Sequence, residues 1–464
     1  MKQLLTYHYL FGNLRRIWIC LFIYAAASAF LLQLVILPYW FPGLHAGNGL
    51  WVGGDWVGFH RIAGELSEKI ILQGWEAWEL RPESQSPAGI AAVFYVFFGP
   101  HPWVLIPLNA AVHATTGVLL VCMVQPLVRN TRHALLCALP FVFFPSGLVW
   151  YAQIHKDGIF FLGTLMCLYG WILMSRLETW TGRFAQILPP LLYLFGGCFL
   201  IWIMRTYGVK MMQGTGFIFA AVLVPRFLFA TLQRKLQLSQ AFLALLIVVA
   251  LPPSFGVLKD RAENGEVTLI NDAMLSDFRP AGSFAEKSRN VINELQWRKT
   301  DWLPSFLDNS FLTLSVVRSG YTGSVGGSNI DTDVRFHSAL EFFPYLPRAF
   351  QIGLAAPFPT SWFGGGIIKA VSAVEMVFVY AALLFLPYAL WRWRKQIEIW
   401  MIFGFCSIFI LIYTYITTNV GSLYRTRFGF LMLLLVLGIA GAIALRQRAL
   451  AVTLPTTLRQ AGKS

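Results

Sequence analysis

The sequence predicts an all-α polytopic membrane protein, and three observations carry that assignment. Of 464 residues, 57% are hydrophobic and only 12% charged, against roughly 25% charged in an ordinary soluble domain. Apolar stretches long enough to cross the ~30 Å hydrocarbon core as helices recur along the chain. These runs are continuous rather than alternating, which excludes a transmembrane β-barrel.

The apolar runs predict about ten spans, at roughly 17–41, 103–128, 134–151, 158–175, 185–204, 213–232, 240–257, 366–390, 397–417 and 427–445. The first follows Arg15 and Arg16 and has no small-residue cleavage site after it, so it reads as a retained span. Basic residues then fall in alternate loops: Arg129 with Arg132, Arg176 with Arg183, Arg234 with Lys235, and Arg392 with Arg394 and Lys395. Arg446, Arg448, Arg459 and Lys463 follow the last span. By the positive-inside bias these loops and both termini are cytoplasmic. The net charge of +14 is therefore a matter of topology, and nothing in the chain reads nucleic acid. The apolar stretch 88–99 is too short to span and ends in Gly99-Pro100, so it is expected as a re-entrant or interfacial helix.

Three regions result. Residues 1–257 form a membrane module of seven spans with a long outer loop at 42–102, 258–365 form a large outer loop or cap, and 366–464 supply three spans and a cytoplasmic tail. In the first loop Ile62, Leu66, Ile70 and Leu72 lie close to one helical face, the pattern of a helix on the membrane surface. In the second, turn-rich RSGYTGSVGGSNIDTD gives way to an amphipathic stretch at 338–357, expected at the interface above a cavity, with Pro344 and Pro347 bending it. All six cysteines fall within apolar runs, so neither a disulfide framework nor a thiolate metal site is suggested.

Four polar constellations converge on the outer face from distant parts of the chain. Asp55, in GGDWVGFH, is either a carboxylate that accepts a proton from a hydroxyl or the N-cap of the helix that follows. In YAQIHKD, Lys156 is suited to phosphate or to snorkelling, and Asp157 to capping the next helix. Arg205 stands in MRTYGVK, and Arg425 and Arg427 in NVGSLYRTR. Outer arginines run against the positive-inside trend and need a local reason. A guanidinium fork matches phosphate oxygens; headgroup contact or ion pairs with the long loop are the alternatives. Within the membrane, Glu375 lies six residues beyond Lys369, as an interhelical hydrogen-bonding group or a functional carboxylate. Asn109 and His113 share a helical face and are expected to pack. No phosphate-binding Gly-rich loop, His-Glu-x-x-His or Gly-x-Ser-x-Gly occurs, so a nucleotide pump, a zincin and a serine hydrolase lack support.

A first span, a long outer loop with an early carboxylate and surface helices, and further spans with basic outer ends resemble the GT-C class of glycosyltransferases. More narrowly, the chain is similar to the bacterial inner-membrane glycosyltransferases that use polyprenyl-phosphate sugars. GDWVGFHRIAGEL, HKDGIFFL, MRTYG and NVGSLYRTRF look like segments of membrane proteins associated with surface polysaccharide synthesis. The class often pairs two acidic residues in the first outer loop; here Asp55 is followed by Trp56. The resemblance implies a multi-pass inner-membrane enzyme that transfers a hexosyl or pentosyl unit from a polyprenyl-phosphate sugar donor to a glycan or lipid-linked acceptor. It implies Asp55 as general base and Lys156, Arg205, Arg425 and Arg427 at the donor's phosphate. Asp157, Tyr207 and His60 are further substrate-binding candidates, with membrane lipids as surroundings and no cofactor or metal called for. The rivals are a polymerase or ligase of lipid-diphosphate glycans, with its key groups in the late loop, and a lipid-linked glycan transporter. A transporter would favour inverted repeats with broken helices, and no repeat is evident.

Overall fold

The computed structural model describes residues 2–175, 184–232, 295–322, 328–363 and 366–453. An apolar chain must satisfy its backbone polar groups internally, and these residues fold into helices; β-pairing among them is confined to the isolated bridges His45–Trp51 and Asn329–Asn419. In chain order the helices are α1 (Lys2–Leu31, continued by a π-helical stretch Leu32–Trp40), α2 (Asp55–Gln73), α3 (Ser86–Phe98), α4 (Ile106–Val128), α5 (Thr131–Phe143) and α6 (Pro145–Tyr151). Next come α7 (Asp157–Ser175), α8 (Phe184–Met204), α9 (Thr206–Leu232), α10 (Ser305–Thr322) and α11 (Phe342–Ala355). The chain continues with α12 (Ile367–Leu383), α13 (Leu386–Arg392), α14 (Ile397–Ile416) and α15 (Val420–Thr453).

Six stretches among the described residues are long and apolar enough to cross a membrane: Asn13–Trp40, Pro102–Val128, Asp157–Ser175, Lys369–Arg392, Ile397–Ile416 and Val420–Leu450. The run expected as one span at 134–151 is instead two helices, α5 and α6, meeting at 65°. Phe144 adopts extended angles immediately before Pro145, where the proline ring disfavours the helical conformation of its predecessor. The apolar part of α8 is shorter, Leu188–Met204, and α9 occupies the expected run 213–232. The expected span 240–257 lies outside the described residues.

α15 is apolar almost all round and is accordingly enclosed: Leu423, Phe428 and every residue from Phe430 to Leu437 are buried. Phe430 stacks on Phe409 of α14 at 4.6 Å. α7 and α8 pack backbone to backbone, since a Cβ on Gly197 would lie 2.5 Å from the Gly163 carbonyl, the close approach that small residues permit between membrane helices. Asn109 donates to the Gln153 carbonyl at 2.9 Å, and His113 stacks on Phe141 with ring centres 4.7 Å apart, so both are packing residues.

The surface-helix expectation for α2 needs correction. Ile62, Ala63, Leu66 and Ile70 are buried with Ala88, Ala91, Ala92 and Tyr95 of α3, so the stretch 88–99 covers that face. Leu72 is 82% exposed, because a residue two places beyond Ile70 points to the other side of the helix. In the late loop α11 runs through Pro347 without breaking, and Pro344 lies in its first turn, where no intrahelical donor is required. Phe342, Phe336 and Tyr415 form a buried cluster that seats α11 on α14. Arg318 donates to the carbonyls of Val334, Tyr415 and Asp331 at 2.9, 3.1 and 2.7 Å. Ile330 donates to Thr418 and Val420 to Ser328. The starts of α2, α7 and α15 and the end of α8 meet at this loop-bearing end, while at the opposite end Gln447 approaches His133 at 3.3 Å.

Candidate functional site

The segment before α2 is shaped by one glutamine and two glycines. Trp51 N–H donates to Gln153 Oε1 at 3.0 Å, and Gln153 Nε2 donates to the Gly49 carbonyl at 3.3 Å. The Trp56 indole donates back to the Trp51 carbonyl. Gly53 has φ +82°, where a side chain would be strained, and a Cβ on Gly54 would lie 2.0 Å from the Trp56 ring, which would have to move, so this turn favours glycine at both positions. Gly54 therefore takes the N-cap, without a side-chain cap bond, and Asp55 becomes the first residue of α2. Of the two roles expected of Asp55, this removes capping. Its carboxylate does not cap; it turns towards α15.

Arg425 Nη2 donates to Asp55 Oδ2 at 2.8 Å, and Arg425 Nε lies 3.3 Å from Asp157 Oδ2. Arg205 Nη2 donates to Asp157 Oδ1, and Arg205 Nη1 donates to the Tyr207 hydroxyl. A line of alternating charge, Asp55–Arg425–Asp157–Arg205, thus joins the first loop, the last helix and the α7 and α8 ends. Lys156 is buried beside it, its ammonium 3.3 Å from Gln85 Oε1 and 5.7 Å from the centre of the Phe59 ring. His155 accepts the Gly158 N–H at Nδ1. Burial is the largest influence on His155, and with Arg425 and Arg205 it outweighs Asp157 and pushes the imidazole down to about 4. Among the described residues, two carboxylates here face three cations and an imidazole that burial keeps neutral at neutral pH.

Arg427 lies outside this line. It is fully buried and donates to the Ile352 carbonyl at 2.7 Å, which also accepts the Ala356 N–H, and to those of Gly353 and Ala356, at the C-terminal end of α11, where acceptors outnumber intrahelical donors. The reason is helical geometry: NVGSLYRTR enters α15 rather than preceding it, and residues two apart on a helix do not share a face. His60 is also apart. Its Nδ1 pairs with the Tyr95 hydroxyl at 2.8 Å and its Nε2 with Asn48 at 3.2 Å. Burial, then His101, lowers its pKa.

A cavity of about 830 Å³ opens beside Arg425. Trp51, Gly54 and Trp56 contribute from the first loop, Ser146 and Trp150 from α6, Ile330 and Phe358 from the late loop, and Tyr424 from α15. Lys369 also lines it, and its ammonium has no carboxylate partner among the described residues. By contrast, Arg205 and Tyr207 border a void of only about 20 Å³, room for about one water. Among the described residues, the larger space lies on the Arg425 side, and Arg205 and Tyr207 stand behind Asp157.

Sequence reasoning passed over Gln153, Gln85 and Lys369 as members of this neighbourhood. Gln153 carried a usable signal, a polar residue at the end of an apolar run; Gln85 carried none. Glu375 lies at the partition behind the cavity, accepting from Ser146 N–H at 2.8 Å, Ser146 Oγ at 2.6 Å and the Tyr424 hydroxyl at 2.5 Å. Of the two readings expected of it, the hydrogen bonds fit the interhelical one, and it satisfies the N-terminus of α6 from another helix. Among the described residues no three His, Cys, Asp or Glu side chains gather as a metal-ligand set. The chain matches no protein-family model, no curated protein and no solved structure.

Proposed function

We propose that this chain is a glycosyltransferase of the GT-C kind in a bacterial inner membrane, with about ten spans and both termini cytoplasmic. It moves a sugar from a polyprenyl-phosphate donor to a glycan or lipid-linked acceptor at the extracytoplasmic face. The observation that supports this best is the meeting of Asp55 and Arg425 at 2.8 Å, across 370 residues of sequence, with Arg425 lining a cavity of mostly apolar walls.

In this mechanism an acceptor hydroxyl attacks the anomeric carbon, the bond from that carbon to the phosphate oxygen breaks, and the lipid phosphate leaves with the electron pair. Asp55 takes the hydroxyl proton. Its Oδ2 is held by Arg425, while Oδ1 has no hydrogen-bond partner among the described residues and the side chain is 54% exposed. Arg425 stabilises charge developing on the phosphate, through a guanidinium whose Nη1 likewise has no partner among the described residues. Such a preorganised donor supplies about 3 kcal/mol of transition-state stabilisation. Asp157 is a positioning residue that orients Arg425 through Nε, and Arg205 and Tyr207 hold Asp157 in turn.

The test is transfer from a polyprenyl-phosphate sugar by the purified full chain. Asp55→Asn removes the base at nearly constant volume and should lower turnover at least ~100-fold with the protein still inserted. Near-normal turnover in that variant would sink the assignment. Activity only with lipid-diphosphate glycans would favour the polymerase or ligase instead.

A further inference from the structure

A second cavity, of about 810 Å³, adjoins the first. Its walls are Leu136, Leu139 and Phe143 of α5 and Val374, Phe378 and Ala382 of α12, and the two cavities share Pro145 and Val371. The cleft follows α12 from Val371 to Ala382, about 16 Å at 1.5 Å per residue. Among the described residues, Glu375 is the one charged group that lines it, and that carboxylate already accepts three hydrogen bonds from Ser146 and Tyr424. Nothing there resists a hydrocarbon chain. At its upper end the neighbouring cavity offers Lys369 and Arg425.

We propose that these two spaces form one site for a single long-chain lipid phosphate, with the chain in the α5–α12 cleft and the phosphate anchored by Lys369 together with Arg425. This rests on the donor reading above and deepens it, by naming the anchor and the path of the chain. The occupant follows from complementarity: an apolar cleft between two helices suits one chain, and cations at one end suit an anionic head. Lys369 is exposed in the first turn of α12, so its replacement leaves the packing intact.

The experiment uses the full chain in nanodiscs and a diazirine-bearing isoprenoid monophosphate, with labelled peptides identified by mass spectrometry and affinity measured by competition. Label is expected within 136–143 and 374–382. Lys369→Gln should weaken binding about tenfold, as loss of one charged contact does, with Lys369→Arg restoring it. Val374→Trp, at a position 60% exposed, should obstruct the cleft and weaken binding to a similar degree. Inorganic phosphate or a two-chain phosphatidate competing as well as unlabelled isoprenoid phosphate would overturn the proposal, as would unchanged binding in both variants. Specific binding without sugar transfer would leave the site standing and remove the transferase reading. Transfer with unchanged KM in Lys369→Gln and Val374→Trp would do the reverse.

Discussion

Arg425 and Arg427 are the same residue type two positions apart, and they do different work. Arg425 sits between two carboxylates at the edge of a cavity, so its fork geometry matters to any phosphate it meets. Arg425→Lys keeps the charge and loses the fork; turnover should fall about tenfold or more, while the exposed exchange Arg61→Lys leaves it unchanged, as steady-state kinetics on both variants would measure. Arg427→Met should instead destabilise by about 3 kcal/mol, since it strips donors from three buried carbonyls, and denaturant titration in detergent reads that loss. His155 adds a pH dependence. Its folded value of about 4 lies below the ordinary 6.5, so neutral His155 contributes stability that is complete above pH 6.5 and is lost as pH falls through about 4. Over that window the loss approaches about 3 kcal/mol. The unfolding midpoint should therefore fall more steeply between pH 7 and 4.5 in the native chain than in His155→Gln.

At the scale of elements, the late loop is tied to its own helix α11 by a polar latch. Asp331 accepts from Arg348 Nε and Nη2 at 2.9 Å and from the Tyr345 hydroxyl at 2.9 Å. The Arg348 hydrogen bonds, helped by Tyr345, lower the Asp331 pKa below its ordinary 3.8. The latch thus contributes fully above pH 3.8 and weakens as pH falls through the lower folded value. Asp331→Asn should raise amide exchange in residues 328–336 at neutral pH, and mass spectrometry would check this. The α5–α6 break is a second element-scale device. Phe144-Pro145 stops one helix, and Glu375 supplies the acceptor that the next one needs at Ser146, which turns α6 across the bundle to line the cavity.

For the whole molecule, the topology proposed predicts that reporters fused after residues 131 and 394 are cytoplasmic and those after 80 and 335 are not. Two results of opposite sign would relocate every site residue. The helical character, the membrane class and the gathering of Asp55, Lys156, Asp157, Arg205 and Arg425 at one end were legible in the sequence. Long apolar runs force helices, and their order alone fixes which run ends lie together. Burial of 88–99 against α2 was not legible, because an apolar 12-residue run looks alike whether protein or lipid covers it. Nor was the separation of Arg425 from Arg427, which depends on α15 starting at Val420 and on which helix face meets which neighbour. Direction along the membrane is encoded locally, by run length and polarity. Rotation about each helix axis is set by packing between distant segments, and that rotation decided which charges pair, which cap a helix, and which face the cavity.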